Sequence, residues 1–259
     1  MKTALTLFFA LIVASQLSSF AQSSVTGSFP LTSTSDEAVE KFKEGSQKYL
    51  NLQYIDSEAL LNEAISLDPD FAVALATKAW TTYSKDTLRA RKLMAHANQQ
   101  YAALSYAEQT YIEGINALMY KRDELPYFEI LVERYPDCEF FNSALANIYF
   151  KKGQGDKMQN TLAGMLELNA HASWAHNMMG YYHMSRDDHR LARKAFEQYL
   201  LLAPELANPH DSMGDYYMKM KKYDKAKAHY DQAFAIDPVN FQFSQVKAIE
   251  ADQATAANH

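Results

Sequence analysis

The apolar residues near the end of the chain follow a helical spacing. Met213 and Tyr217 are four residues apart in one short segment, and Ala226, Tyr230 and Ala233 are spaced by four and three residues in the next. Residues at these spacings lie on one face of an α-helix. The pattern therefore predicts two consecutive helices, each with one apolar face to bury.

The same pattern recurs every 34 residues. Residues 173–206 align without a gap on residues 207–240, and the register continues backwards more loosely, with one residue missing between Ala79 and Ile112. A repeat of this length is typical of helix pairs that become stable by stacking on their neighbours. We predict six such pairs, over residues 38–71, 72–104, 105–138, 139–172, 173–206 and 207–240.

Small residues and prolines occupy fixed places in the repeat. Gly214 in the first helix and Ala226 in the second take up little space, so the two backbones can approach closely while aromatic side chains fill the gaps. Pro238 falls where the second helix should have ended, because proline cannot donate to the helical ladder. Ser105 and Glu108 form a capping-box pattern, which predicts that a helix begins there.

These features resemble the tetratricopeptide repeat (TPR) family. The residues that carry the resemblance are Gly180, Gly214, Tyr217, Ala192, Ala226, Phe196, Tyr230, Pro204 and Pro238. It covers most of the chain after residue 37 and is most specific in the last two units. Asn142, His176 and His210 replace the tryptophan common in the family's first helix, and Ala170 stands in a proline position. The resemblance implies an all-α fold, a TPR-like α-solenoid in which antiparallel helix pairs form a right-handed superhelix.

The first 21 residues have the layout of a secretory signal peptide. Lys2 precedes an apolar run of 11 residues from Ala4 to Ala14, and small and polar residues follow as far as Ala21. The run is shorter than the roughly 20 residues that cross a bilayer as a helix. We therefore predict a signal peptide over 1–21, cleavage before Gln22 and a periplasmic or secreted protein. No later stretch predicts an integral membrane segment.

Two segments flank the predicted repeats. Residues 22–37 are rich in Ser and Thr and are predicted to be a flexible lead-in, with Phe29 and Leu31 placed to pack on the first helices. Residues 241–259 are predicted to be a capping helix with a frayed tail beyond Ala251. The apolar stripe expected to cover the last unit consists of Phe241, Phe243, Val246 and Ile249.

Charge and cysteine content narrow the function classes. Without Lys2 the remaining chain carries 24 basic and 31 acidic side chains, a formal net charge of −7, which argues against general affinity for nucleic acid. A single cysteine, Cys138, cannot form an internal disulfide. We expect it to be a buried small residue beside Phe140 and Phe141 rather than a reactive thiol.

In the family that the repeat resembles, the first helix of each unit lines a concave wall that receives partners. The resemblance implies a protein or peptide partner and places these contacts at Phe140, Asn147, Phe150, Trp174, Asn177, Tyr181, Met184, Asp211 and Asp215. Aromatic side chains among amides and carboxylates suit peptide recognition. Two alternatives stay open: Phe140 and Trp174 could pack between units, and the chain could be a self-assembling envelope factor of undetermined oligomeric state.

Few residues indicate catalysis or metal binding. His183 and Asp187 are four residues apart, which gives only two ligands on one helical face, and no nucleophile elbow, zinc-protease helix or phosphate-binding loop occurs. We predict no enzyme activity and no cofactor, with a metal-dependent enzyme as the remote alternative. A basic cluster at 219–227 is interpreted as a solvated edge, with docking to an acidic partner as its alternative.

Overall fold

The computed structural model of the chain describes residues 25–256, and within that range it is helical with no β-strand. Thirteen α-helices occur in the described residues, with one 3₁₀ turn at Tyr101–Ala103. The helices are α1 Asp36–Leu50, α2 Tyr54–Leu67, α3 Ala72–Thr82, α4 Thr87–Gln99, α5 Tyr106–Met119, α6 Leu125–Arg134, α7 Glu139–Lys151, α8 Gly155–Leu168, α9 Ser173–Ser185, α10 His189–Leu202, α11 Ala207–Lys219, α12 Tyr223–Ile236 and α13 Gln242–Ala256. The predicted signal peptide lies outside the described residues.

The helices pair in succession. Each of the six predicted units holds two of the first twelve helices, and α13 follows the last pair. Within five of the pairs, the turn between the two helices contains one residue with positive φ, at Leu52, Lys121, Gly153, Asp187 and Lys221. A residue in this left-handed conformation ends a helix and reverses the chain within a few residues, which places the next helix antiparallel to the first. The architecture is the all-α, TPR-like solenoid that the repeat predicts.

Glycine sets the approach distance within the last two pairs. A Cβ atom on Gly180 would lie 2.4 Å from the ring of Phe196, and one on Gly214 would lie 2.4 Å from the ring of Tyr230. Both rings are buried, at 0% and 2% exposure. The small and aromatic columns of the last two units therefore mark the same contact, in which a ring of the second helix packs against the backbone of the first.

The predicted capping helix is α13. It packs against the last pair through a different face from the one expected. Ala248 and Ala251 are buried against α12, and the buried Ser244 donates to Asp211 of α11, whereas Phe243, Val246 and Ile249 are 43%, 57% and 55% exposed. Phe241, just before the helix, is buried. Close packing on α12 favours the small residues, so the stripe assignment is wrong for three of its four members. The helix also continues beyond Ala251 to Ala256.

The first unit touches the last. Leu52, in the turn between α1 and α2, packs against the cluster that contains the buried Phe241. The side chain of Asn240 accepts a hydrogen bond from the backbone of Ile55 at 2.9 Å and donates one to Asp56 at 3.3 Å. We call this set of contacts the closure. It brings residues about 185 positions apart into contact, so the superhelix turns back on its own start.

The N-terminal segment packs against the solenoid, in contrast to the predicted flexible lead-in. Val25 and Phe29 are 4% and 5% exposed, and Leu31 is half-buried. Hydrogen bonds join the segment to Asp68 and Asp137, which precede α3 and α7. We call residues 25–35 the N-terminal strap. Its Ser and Thr residues indicated flexibility from composition, but their hydroxyl and amide groups are used in these contacts.

Candidate binding site

The structure places two predicted contact residues inside the protein. Phe140 is 3% exposed and its ring lies 6.3 Å from that of Tyr49 and 6.0 Å from that of Trp80. Trp174 is 4% exposed and donates from Nε1 to Oε2 of Glu139 in the preceding unit. Their assignment as partner contacts is wrong, because neither side chain is accessible. The alternative interpretation, packing between units, describes both.

Four further predicted contacts join the last units to α13. Tyr181 donates to Asp215 at 2.7 Å, and Asn177 accepts from Ser212 at 2.8 Å. Asp211, only 4% exposed, and Asp215 each accept a 2.8 Å hydrogen bond from Lys247 of α13. Burial raises the pKa of Asp211. This network satisfies the polar groups within the chain, so Asp211 is also wrong as a partner contact.

The remaining predicted contacts keep accessible surface. Phe150 is 43% exposed, and Asn147 and Met184 are half-buried. They stay predictions.

An aromatic cavity lies at the C-terminal ends of the first helices of the four N-terminal units. Its volume is about 540 Å³. We call it the aromatic bowl. Its lining residues are Tyr49, Tyr54, Ser57, Glu58, Trp80, Thr81, Tyr83, Ser84, Lys85, Leu118, Glu124 and Lys151. A volume of several hundred cubic ångströms matches the sites that hold small molecules or one or two peptide side chains.

Ring packing fixes one wall of the bowl. The ring of Tyr49 lies 5.4 Å from that of Tyr54 and 5.3 Å from that of Trp80. Trp80 rests in turn on the buried Phe140, and the hydroxyl of Tyr83 donates to the carbonyl of Met119 at 2.7 Å. Rings held from behind in this way offer contact area with little further loss of rotamer freedom.

A partly buried ion pair adjoins the aromatic wall. Lys78 is 1% exposed and donates from Nζ to Oε1 of Glu58 at 2.6 Å, while Glu58 itself is 43% exposed on its side chain. Burial lowers the pKa of Lys78, whereas the hydrogen bond from Lys78 lowers the pKa of Glu58. Glu58 also lines the aromatic bowl. Lys85, Glu124 and Lys151 add charges of both signs to the lining.

The aromatic bowl was not predicted from the sequence, because its aromatic residues come from the less regular N-terminal repeats. Tyr49, Trp80 and Tyr83 stand at or near the ends of α1 and α3, and Tyr54 begins α2. One signal was present in the sequence. Four large aromatic residues lie within 35 positions, at the two turns that the 34-residue register brings to the same edge.

Two other residues considered as chemical sites, Cys138 and Asp187, are buried and ion-paired, respectively. Cys138 is 1% exposed, as predicted, and burial raises the pKa of its thiol. Asp187 forms an ion pair with Lys219 at 3.1 Å. Within residues 25–256 no group of three or more His, Cys, Asp or Glu side chains could hold a metal ion. No helix in that range is both long and apolar enough to cross a membrane.

Comparison with known proteins identifies one repeat by sequence. A family model described as a tetratricopeptide repeat matches residues 207–238, the α11 and α12 pair. No curated protein matches the chain.

Solved structures share the fold at low identity. Yeast Tom70 superposes with a TM-score of 0.60 at 13% identity, over 90% of this chain and 54% of that one. A tetratricopeptide repeat protein from Parabacteroides merdae gives 0.51 at 13% identity, over 87% and 94%. A thermophilic TPR protein of Thermus thermophilus gives 0.50 at 18% identity, over 83% and 98%.

Proposed function

We propose that this chain, a tetratricopeptide-repeat protein, is a non-catalytic scaffold that binds a protein or peptide partner through the aromatic bowl. The observation that carries the proposal is the set of four aromatic side chains, Tyr49, Tyr54, Trp80 and Tyr83, that line an accessible cavity of about 540 Å³. A few residues carry most of the binding free energy at protein interfaces, and Trp and Tyr are enriched among them. The fold favours interaction with proteins or peptides.

The bowl suits a short peptide stretch with one large apolar side chain. Its aromatic wall provides apolar contact, while Glu58 and Glu124 can accept hydrogen bonds from peptide amides and Lys85 and Lys151 can donate to peptide carbonyls. The concave wall predicted from the repeat is not the main surface in this proposal. Phe140 supports the bowl from behind instead of contacting the partner.

We further propose that the scaffold acts outside the cytoplasm, in the periplasm or as a secreted protein. Support comes from the sequence of residues 1–21, which have a basic start, an apolar run and a small residue before the expected cleavage site. N-terminal sequencing of the protein purified from its source would test this. A mature chain that begins at Gln22 is expected, and a retained Met1 would contradict it.

The binding proposal is tested by selecting peptides against the full chain from a random-peptide display library. Dissociation constants of the selected peptides are then measured by calorimetry for the wild-type chain and for Trp80→Ala and Tyr54→Ala. Loss of a central aromatic contact should weaken binding at least tenfold, or about 1.4 kcal/mol. Tyr54→Ala is the milder variant, because its side chain is already 47% exposed.

Tyr106→Ala is the matched control for Tyr54→Ala. Tyr106 also begins a helix and is 60% exposed, but it does not line the bowl. Its removal should change the affinity less than twofold. Selected peptides that bind Trp80→Ala and Tyr54→Ala as tightly as the wild type would overturn the proposal.

A second candidate function is self-association through α13. Phe243, Val246 and Ile249 form an exposed apolar stripe on this helix, and exposed apolar patches often mark interfaces. Light scattering of Val246→Glu and of the wild type over a range of concentrations distinguishes the two functions. A wild-type mass that rises with concentration, and a variant mass that does not, would favour assembly.

A further inference from the structure

The N-terminal strap is held by three carboxylates, two from the third unit and one from the first. The backbone N–H and the hydroxyl of Ser28 both donate to Asp137, at 2.7 Å each. The same two groups of Thr32 donate to Glu108, at 2.6 Å and 2.8 Å. Asp68 accepts from the Ser33 hydroxyl at 2.6 Å and from the Thr34 N–H at 2.8 Å.

An aromatic recess receives the ring of Phe29 between these polar contacts. The ring centroids of Phe141, Tyr135 and Tyr111 lie 4.7 Å, 5.6 Å and 6.5 Å away, each in an edge-on arrangement. Buried edge-to-face ring contacts add to the free energy of apolar burial. The three carboxylates and these three rings define what we call the strap groove.

At the start of the strap, the backbone itself packs closely against the solenoid. The carbonyl of Val25 accepts a hydrogen bond from the N–H of Phe140, in the first turn of α7, at 3.1 Å. Gly27 has φ +51°, and a Cβ atom there would lie 2.6 Å from backbone atoms of Asp137. Glycine is therefore required at this point, both by conformation and by space.

The strap makes the contacts of a bound peptide. Residues 25–35 lie outside the helices until α1 begins at Asp36, and their hydrogen bonds run to side chains and to the first turn of a helix. Each carboxylate recognises an amide and hydroxyl, which selects Ser or Thr, and the recess selects an aromatic ring. This is sequence-dependent recognition of a non-helical segment that begins with a turn at residues 25–28.

We propose that the strap groove is a second peptide-binding site, which the chain's own strap occupies. Its ligand class is a peptide with the pattern Gly-Ser-Phe-Pro, then one further residue, then two hydroxyl residues, as at Thr32 and Ser33. The tethered strap has a high effective concentration, so it excludes such a peptide until it is released. The site is distinct from the aromatic bowl, and it does not depend on the function proposed for that bowl.

The test uses the full chain and a fluorescent peptide with the sequence of residues 25–35. Gly27→Ala combined with Phe29→Ala should release the strap, since one change creates an overlap with Asp137 and the other empties the recess. Fluorescence anisotropy should show that the released chain binds the peptide at least tenfold more tightly than the wild type does. The same peptide with Phe29→Ala should bind the released chain at least tenfold more weakly.

Trp80→Ala in the released chain is the control that separates the two sites. It should leave the affinity for the strap peptide within twofold, because Trp80 lines the bowl and not the groove. A released chain that fails to bind the peptide, or that binds both peptides equally, overturns the proposal. Loss of helical circular dichroism on release would also overturn it, because the strap would then be an inseparable part of the fold.

Discussion

The indole Nε1 of Trp174 donates a 2.7 Å hydrogen bond to Oε2 of Glu139, and both residues are 4% exposed. The bond joins the first helices of the fourth and fifth units. Glu139 also contacts Asn169 at 2.7 Å, at the end of the intervening helix. The buried carboxylate of Glu139 therefore bonds both to Asn169, at the end of α8, and to Trp174 in α9.

Trp174→Ala should lower the free energy of unfolding by about 3–5 kcal/mol, since it leaves a cavity and removes one partner of a buried carboxylate. Urea denaturation followed by circular dichroism measures the change. Binding of a bowl-selected peptide under native conditions should be unaffected. A stability loss below about 1 kcal/mol would contradict the packing role.

Lys247 holds α13 to the last unit through two carboxylates. Its Nζ lies 2.8 Å from both Asp211 and Asp215. Lys247→Met would leave these two acidic groups close together without their cation, and removal of one partner of a buried pair is strongly destabilising. We predict that amide hydrogen exchange over residues 244–256 rises at least tenfold in this variant.

Lys227→Met is the control for Lys247→Met. Lys227 forms an exposed i,i+4 pair with Asp231, and such pairs contribute little to stability. Exchange over α13 should be unchanged in the control. Equal exchange in Lys247→Met and the wild type would show that the small-residue contact with α12 is sufficient.

Two histidines make the last unit sensitive to acid. The rings of His210 and His229 lie 6.0 Å apart, and that of His229 stacks on Tyr217 at 5.4 Å. Burial lowers the pKa of both below 6.5. A histidine whose pKa is lower in the folded than in the unfolded chain contributes stability to the folded state. That stability is complete above the unfolded pKa and is lost as the pH falls through the folded pKa.

The melting temperature should therefore fall between pH 7.5 and pH 5.5, and His229→Phe should reduce that fall. Each proton that binds only to the unfolded chain lowers the free energy of unfolding by at most about 1.4 kcal/mol per pH unit. His171→Gln, at an exposed position, should keep the wild-type pH dependence. Identical slopes in the wild type and His229→Phe would refute the assignment.

The closure should control the outer dimensions of the protein. Asn240 bonds to Ile55 and Asp56 of the first unit, beside Leu52 and Phe241. Asn240→Ala combined with Leu52→Ser removes both the polar and the apolar parts of this contact. Small-angle X-ray scattering should then give a larger radius of gyration with unchanged helix content. An unchanged radius would mean that the stacking of successive units alone sets the curvature.

The sequence predicted the local structure better than the surfaces. Gly180, Gly214, Phe196 and Tyr230 identified the last two helix pairs because both units repeat the same contact at the same spacing. Phe140 and Asp211 were misplaced because their burial depends on residues from elsewhere in the chain. Phe140 packs on Tyr49, about 90 positions earlier, and Asp211 bonds to Lys247 in the helix that follows its unit.

The strap and the bowl depend on the same kind of distant contact. Ser28 meets Asp137 across 109 positions, and no periodic pattern marks either residue as a partner of the other. Composition alone made residues 22–37 appear unstructured. A helical repeat predicts which faces of its helices are buried, but not how far the superhelix turns before it meets its own start.

The most direct test of the account is the accessibility of Trp80 to acrylamide, measured by fluorescence quenching with and without a saturating bowl-selected peptide. Trp80 is half-buried at the bowl and Trp174 is 4% exposed, so quenching reports mainly on Trp80. The peptide should lower the quenching constant of the wild type and leave that of Trp80→Phe unchanged. A peptide that binds without protecting Trp80 would contradict the claim that the aromatic bowl is where the partner binds.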